Sequence, residues 1–176
     1  MDKKKKRLLL RTSILTVLAV TVGYVFYTNF FQAEATSLSE GEQAPNFALY
    51  NMEGERVELA DYEGKGVFLN FWGTYCPPCE EEMPYMENQY AEYGDEVEIL
   101  AVNVGEPELT VDRFVNRHNL TFPILMDENR DVLDHYGIRP LPTTFLIDED
   151  QEIVEIITGG MTESHIEEYM ERIKPS

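Results

Sequence analysis

The chain has 176 residues, of which 43% are hydrophobic and 27% are charged, and its formal net charge is −19. This length suits one domain of common size together with an additional segment. So acidic a chain is a poor partner for nucleic acid. Because it has only two cysteines, it is also not a small domain held together by several disulfides.

The N-terminal residues differ in charge from the rest of the chain. Residues 1–11 contain six basic residues and one acidic residue, a net charge of +5, which leaves −24 for the other 165 residues. Residues 12–31 contain no charged side chain. As an α-helix this segment would span about 30 Å, the thickness of the hydrocarbon core of a bilayer. Since basic flanks stay in the cytoplasm, we predict a cytoplasmic N-terminus and a single-pass signal-anchor in the cell membrane.

The anchor is followed by a predicted linker at 32–43 and an extracytoplasmic domain at 44–176. The linker contains Ala33-Glu34-Ala35, which has the Ala-x-Ala form of a cleavage site. Cleavage after Ala35 is therefore the alternative to a retained anchor. The length of the uncharged run favours the anchor, because the apolar part of a cleaved signal peptide has only about 7–15 residues.

Strand-like and helix-like patterns alternate along the domain. Nearly continuous apolar runs predict strands that are buried on both faces. The predicted strands are 47–50, 57–59, 67–72, 97–104, 122–126, 143–148 and 152–157. The predicted helices are 80–93, 110–118 with Thr110 as its N-cap, 129–136 and 162–173. This order predicts a mixed-sheet α/β domain with helices on both faces.

Cys76-Pro77-Pro78-Cys79 follows the predicted strand 67–72 and opens the next helix. Two cysteines three residues apart on a helical turn lie on one face, where they form a disulfide without backbone movement. At the helix N-terminus, the dipole favours a thiolate at Cys76, the form that attacks a partner disulfide. Cys79, one turn further in, is positioned to resolve the mixed disulfide. This strand-to-helix setting predicts a redox pair.

Other uses of the two cysteines fit the sequence poorly. A zinc site needs four ligands, and the chain offers one CxxC and three scattered histidines. A c-type haem attachment site needs a histidine where Glu80 stands. A purely structural disulfide that closes so short a loop stabilises little. We therefore expect no metal and no cofactor besides the redox-active disulfide Cys76–Cys79.

The segment from Phe71 to Pro84 resembles the active-site block of the thioredoxin superfamily, and more closely that of the membrane-anchored ResA branch of the TlpA-like proteins. The resemblance extends over nearly the whole chain, through the basic-then-apolar N-terminus and the segments 44–47, 102–106, 141–147 and 158–164. It implies a thioredoxin fold with an N-terminal β-hairpin and a central βα insertion. It also implies reduction of the disulfide in the haem-binding CxxCH motif of apocytochrome c, with electrons from a CcdA-type membrane protein. The chain differs from the ResA pattern at two places on the border of the site. Pro77-Pro78 stands in place of Glu-Pro, and Tyr75 stands in place of Trp.

Three further residues are assigned to the site, largely through this resemblance. Glu82 matches an acidic cavity residue, and it lies three residues beyond Cys79, where a carboxylate exchanges protons with thiols. The alternative is that Glu82, like its two acidic neighbours, only complements the helix dipole. Leu141-Pro142-Thr143 matches the cis-proline loop of thioredoxin-like proteins, which implies a cis bond before Pro142 and a place for it in substrate binding. Trp72 is expected to pack beside the site and to border the substrate.

Several functions remain open at this stage. The same build suits a thiol reductase for another exported target, such as a spore-envelope protein, or a disulfide-forming oxidase. A peroxidase of the peroxiredoxin type fits poorly, because Leu69 and Gly73 stand where its Pro-x-x-x-Thr-x-x-Cys motif requires Pro and Thr. A non-catalytic binding module is the fourth possibility, and the presence of both cysteines argues against it.

Overall fold

The computed structural model describes residues 11–24 and 38–175, and the chain divides into two compact units, Met1–Thr36 and Ser37–Ser176. In the first unit, residues 11–24 form an α-helix. The predicted anchor overlaps this helix, but its residues 25–31 and the linker residues 32–37 lie outside the described residues. Across the two described ranges, no helix combines the length and the apolar character needed to cross a membrane.

The second unit contains seven strands, four helices and one 3-10 turn between residues 38 and 175. The strands are β1 (Ala48–Asn51), β2 (Arg56–Glu58), β3 (Gly66–Trp72), β4 (Val97–Val104), β5 (Ile124–Asp127), β6 (Thr143–Ile147) and β7 (Ile153–Thr158). The helices are α1 (Pro77–Tyr93), α2 (Glu108–His118), α3 (Asp131–His135) and α4 (Glu163–Ile173), and the 3-10 turn is Leu59–Tyr62.

All seven strands form one sheet in the order β2-β1-β5-β4-β3-β6-β7. The central strands β3, β4 and β5 are parallel, whereas the hairpins β1–β2 and β6–β7 are antiparallel and lie at the two edges. Helix α2 and strand β5 form the insertion between β4 and α3, and β1 pairs with β5. The predicted thioredoxin fold, with its N-terminal hairpin and central insertion, is therefore confirmed.

Side chains of the buried strands alternate between two core clusters, one on each face of the sheet. We call the first the cysteine face, since it contains Cys76, Cys79, Phe68 and Trp72 together with residues of α1, α2 and α4. We call the other the far face, which contains Leu69 and Phe71 of β3 and is covered by α3 and the 3-10 turn. Both β3 and β4 are buried along their whole length, as their continuous apolar sequences predict.

One detail of the predicted architecture is wrong. Thr110 does not cap α2, because that helix begins at Glu108 with Pro107 as its N-cap. The Thr110 amide lies within the first turn and donates to Pro107 O at 2.9 Å. Proline suits this position because it has no amide hydrogen to satisfy, and Glu108 complements the helix dipole. Helices cover both faces of the sheet, as predicted, but unequally, since the five-residue α3 is the one α-helix on the far face in residues 38–175.

Candidate active site

The CxxC motif begins α1 directly behind the carboxyl end of β3. Cys76 is the N-cap residue, its amide donates to Gly73 O at 3.1 Å, and its carbonyl accepts from the Glu80 amide at 3.1 Å. Pro77 and Pro78 occupy the first two helical positions, where a missing amide hydrogen costs no bond within the helix. The strand thus delivers Cys76 to a helix N-terminus, as the sequence predicts.

Cys76 and Cys79 form a disulfide in this structure. Cys76 retains 7% of its surface exposed, whereas Cys79 is completely buried. A sulfur of another protein therefore reaches Cys76 and not Cys79. This is the difference in access that an attacking and a resolving cysteine require.

The loop between β3 and Cys76 is held in place by the end of β4. The Glu106 carboxylate accepts from the Thr74 amide at 2.7 Å and from the Thr74 hydroxyl at 2.5 Å. It also accepts from Asn103 Nδ2 at 2.9 Å. A Cβ at Gly73 would lie 2.6 Å from the ring of Tyr75, so a side chain at this position would displace that exposed ring. Sequence reasoning noted the block 102–106 but assigned Glu106 no role.

Glu82 lies inside the protein, on the side of α1 that packs against the cysteine face of the sheet. Its side chain is completely buried; Oε1 accepts from Asn70 Nδ2 at 2.9 Å and Oε2 accepts from the Met161 amide at 3.0 Å. Burial raises the pKa of Glu82 from 4.5 to about 7, although the hydrogen bonds from Asn70 and Met161 act in the opposite direction. Such a pKa suits proton exchange near neutral pH. The alternative, a carboxylate that only complements the helix dipole, describes the exposed Glu80 and Glu81 and not Glu82.

Asn70 connects Glu82 to the neighbouring strand. Its Nδ2 also donates to Thr144 Oγ1 at 2.9 Å, and the two residues are partners in the β3–β6 pairing. Its buried Oδ1 has no hydrogen-bond partner, which is unfavourable for an acceptor out of contact with water. Rotation of the amide by about 180° would bring this oxygen to Glu82, where a protonated carboxyl group donates to it. The network of Asn70, Glu82 and Thr144 is therefore suited to hold a proton.

Asn70 was missed by sequence reasoning, although the sequence contains a signal for it. It is the only residue with a polar side chain in β3, whose seven positions are all buried. A buried polar side chain requires a partner, so an amide in an otherwise apolar strand indicates a polar network.

The Leu141–Pro142 peptide bond is cis, as the resemblance implies. Pro142 is buried, and its carbonyl accepts from the Gly159 amide at 2.9 Å. Leu141 is half-buried and lines a groove together with Cys76. A molecule bound in the groove would therefore contact Leu141 and not Pro142.

Trp72 requires a correction. Its side chain is completely buried, and its ring packs against Phe114 with the ring centroids 5.0 Å apart. Trp72 belongs to the same core cluster as the two cysteines. It supports the site from within, and the expected contact with substrate is absent from this oxidised state because no part of the ring is accessible.

The groove beside Cys76 has a volume of about 450 Å³. On one side it is lined by the active-site segment from Tyr75 to Pro78. On the other side it is lined by Leu141 and by side chains of the segment before β6, namely Arg130, Leu133 and Arg139. The reactive end of the disulfide thus opens onto a surface that is partly apolar and partly basic.

Comparison with known proteins agrees with this geometry. The AhpC/TSA family model matches residues 41–156. The thiol-disulfide oxidoreductase ResA of Halalkalibacterium halodurans is 61% identical over 173 residues, which cover 98% of each chain. The protein of the same name from Bacillus subtilis is 52% identical over 174 residues, covering 98% of this chain and 97% of the relative. The chain belongs to the ResA thiol-disulfide oxidoreductases, within the AhpC/TSA family.

Two solved structures from other proteins share this fold. A putative thiol:disulfide interchange protein DsbE from Chlorobium tepidum is 28% identical with a TM-score of 0.73, over 78% of this chain and 99% of that one. StoA from Bacillus subtilis is 32% identical with a TM-score of 0.64, over 73% of this chain and 98% of that one. Like the ResA proteins, this chain is therefore a thiol-disulfide oxidoreductase, and the Cys76–Cys79 pair is the group in the described residues that can carry that chemistry.

Proposed function

We propose that this ResA-type oxidoreductase reduces the disulfide of the haem-binding CxxCH motif in apocytochrome c, on the outer side of the cell membrane. The observation that carries the proposal is the arrangement of the two cysteines, with Cys76 accessible at the edge of a groove and Cys79 buried behind it. The resemblance to the ResA branch, which extends over nearly the whole chain, supports the choice of substrate. A disulfide between two nearby cysteines of an unfolded polypeptide suits a shallow, open groove.

The reaction begins from the reduced enzyme. The Cys76 thiolate attacks one sulfur of the substrate disulfide, forms a mixed disulfide and releases the other substrate sulfur as a thiolate. Cys79 then attacks the Cys76 sulfur, which restores the Cys76–Cys79 disulfide and releases the second substrate sulfur. Two electrons pass from the enzyme dithiol to the substrate disulfide, and the two substrate thiolates that are released take up protons from the solvent.

Glu82 is proposed to accept the proton of the Cys79 thiol as that cysteine becomes a nucleophile. It lies one turn beyond Cys79 on α1, and its pKa of about 7 allows it to take up and return a proton near neutral pH. Complete burial of Cys79 keeps bulk water from doing the same task. When the disulfide is reduced again, Glu82 returns this proton to the Cys79 sulfur.

A dithiol of a CcdA-type membrane protein then reduces the Cys76–Cys79 disulfide and is itself oxidised to a disulfide. No further cofactor takes part, because the cysteine pair itself carries the electrons. The proposed signal-anchor at 12–31 would hold the domain next to this donor, with residues 1–11 in the cytoplasm. Labelling of Cys76 in intact cells with a membrane-impermeant thiol reagent tests the topology; a domain in the cytoplasm would remain unlabelled.

The substrate is tested with the full-length protein in detergent and an oxidised peptide that contains the CxxCH motif. We expect the reduced wild type to convert the peptide to its dithiol, and Cys79→Ala to accumulate a mixed disulfide between Cys76 and the peptide, detected by mass spectrometry. Cys76→Ala is the matched control, and it should form no such species. Reduction of other exported disulfides with no reaction at CxxCH would contradict the proposed substrate.

A further inference from the structure

The basic residues of the domain are distributed unevenly. Eight lysines and arginines lie in residues 38–175. Four of them form ion pairs with carboxylates, namely Arg56, Lys65, Arg172 and Lys174. The other four have no ion-pair partner within the described ranges, namely Arg113, Arg117, Arg130 and Arg139. In a chain with 33 acidic residues, unpaired arginines are unexpected and call for an explanation.

Two of the unpaired arginines, Arg130 and Arg139, line the groove beside Cys76. No acidic side chain lines this groove among the residues that the structure describes. One acidic residue near Arg130 is Glu106, because the Arg130 side chain lies beside the preceding Gly105, where a Cβ would approach its Cγ and Cδ to 3.4 Å. The Glu106 carboxylate is already occupied by Thr74 and Asn103. Asp131 and Asp134 on α3 form no ion pair with either arginine.

The position of Cys76 determines what must enter the groove. A substrate disulfide reacts only when one of its sulfurs comes into contact with Cys76, so the residues next to that cysteine lie against the groove walls. Those walls offer two guanidinium groups and the apolar surface of the half-buried Leu141. Guanidinium groups bind carboxylates with paired hydrogen bonds. The rest of the domain has a large negative charge and repels acidic polypeptides. The two arginines make the groove beside Cys76 attractive to carboxylates instead.

We propose that this groove binds an extended polypeptide segment that has a carboxylate side chain close to its reactive cysteine, held by Arg130 and Arg139. The inference rests on the proposed reduction of protein disulfides and adds the charge of the preferred substrate. An apolar residue of the same segment lies against Leu141. The enzyme thus selects among disulfides by the charge of their flanking residues, in addition to the accessibility of the sulfurs.

The test uses two oxidised peptides with the same pair of cysteines, one with flanking Asp and Glu and the other with Asn and Gln at those positions. We expect the full-length wild type to favour the acidic peptide in kcat/KM by about three- to tenfold at low salt, because exposed ion pairs are individually weak. The preference should shrink as ionic strength rises, since salt screens charges over about 10 Å at 0.1 M. The double variant R130Q/R139Q should lose the preference.

The matched control is R113Q/R117Q, which removes the same charge from the other two unpaired arginines, located around a separate pocket next to Thr74 and Glu80. It should keep the preference for the acidic peptide. Equal kcat/KM for the two peptides in the wild type would overturn the inference, as would an equal loss of preference in both double variants. If the wild type reduces neither peptide but still reduces 2-hydroxyethyl disulfide, the proposed function itself fails and the inference fails with it.

Discussion

The two faces of the sheet differ in what they bury. On the far face, Phe71 packs against Tyr136 and Phe145, with ring centroids 5.4 and 6.0 Å apart, and the Tyr136 hydroxyl donates to Pro45 O. On the cysteine face, the same strand places Asn70 between Phe68 and Trp72, where its amide donates to Glu82 and Thr144 beside the core cluster that contains both cysteines. Since burial of polar groups costs free energy, a connected polar network in one core cluster indicates function, whereas the apolar cluster provides stability.

Cys76→Ala should have the largest effect on activity with the smallest effect on stability. Reductase activity should fall to background, because Cys79, the other cysteine among the described residues, is completely buried. The unfolding midpoint of the oxidised protein should change little, since the disulfide joins residues only three positions apart. Activity assays and urea denaturation on the same preparation check both statements. Residual activity well above background would show that Cys76 is not the attacking residue.

Phe71→Ala should have the opposite profile. Removal of a fully buried ring from the far face should lower the free energy of unfolding by about 3–5 kcal/mol. Activity per folded molecule should stay unchanged, because Phe71 contributes nothing to the network around Glu82. Phe71→Leu, which leaves a smaller cavity, serves as the control and should cost less. A loss of activity without a loss of stability would contradict the division between the faces.

Glu82→Gln should remove a pH dependence from the stability of the oxidised protein. The pKa of Glu82 is raised in the folded state, so its contribution is fully present below about pH 4.5 and is lost as the pH rises to about 7. The loss should amount to at most about 3 kcal/mol, because one pKa unit corresponds to about 1.4 kcal/mol. Urea denaturation from pH 4.5 to 8 measures this change. Identical profiles for wild type and variant would exclude Glu82 as the titrating group.

The smallest effect is expected from Thr144→Val. The substitution keeps the shape of the side chain and removes the acceptor of one Asn70 hydrogen bond, at a cost of about 1 kcal/mol. It should also shift the pH dependence that Glu82 causes, since Asn70 is then held by Glu82 alone. Thr143→Val, on the adjacent residue of β6, breaks a bond to Pro140 O and is the control. We expect it to cost a similar free energy and to leave the pH profile unchanged.

The sequence predicted most of the fold because the deciding signals are local. Continuous apolar runs located β3 and β4, and the cysteine motif indicated a helix N-terminus at Cys76, although the predicted range 80–93 begins three residues after Pro77. The start of α2 was misplaced by two residues, because Thr110 is a stronger N-cap signal than the proline that takes that position.

The candidate site was predicted less completely, because its contacts join distant parts of the chain. Glu82 was assigned through resemblance, but its bond to Met161 spans 79 positions and no local pattern indicates it. Trp72 was misassigned to the substrate surface, because its complete burial depends on packing against Phe114 of α2, a contact between distant parts of the chain. Arg130 and Arg139 become neighbours of Cys76 only when α3 is folded against the sheet.

The most direct test of the account is the equilibrium reduction potential of the Cys76–Cys79 pair, measured on the full-length protein against a series of dithiol redox buffers. Thioredoxin, a reductase, lies near −270 mV, and the strong oxidant DsbA lies near −120 mV. The account predicts a value close to or below that of thioredoxin, as a reductase that receives electrons from the membrane requires. A value close to that of DsbA would contradict it, and would indicate an enzyme that forms disulfides in exported proteins.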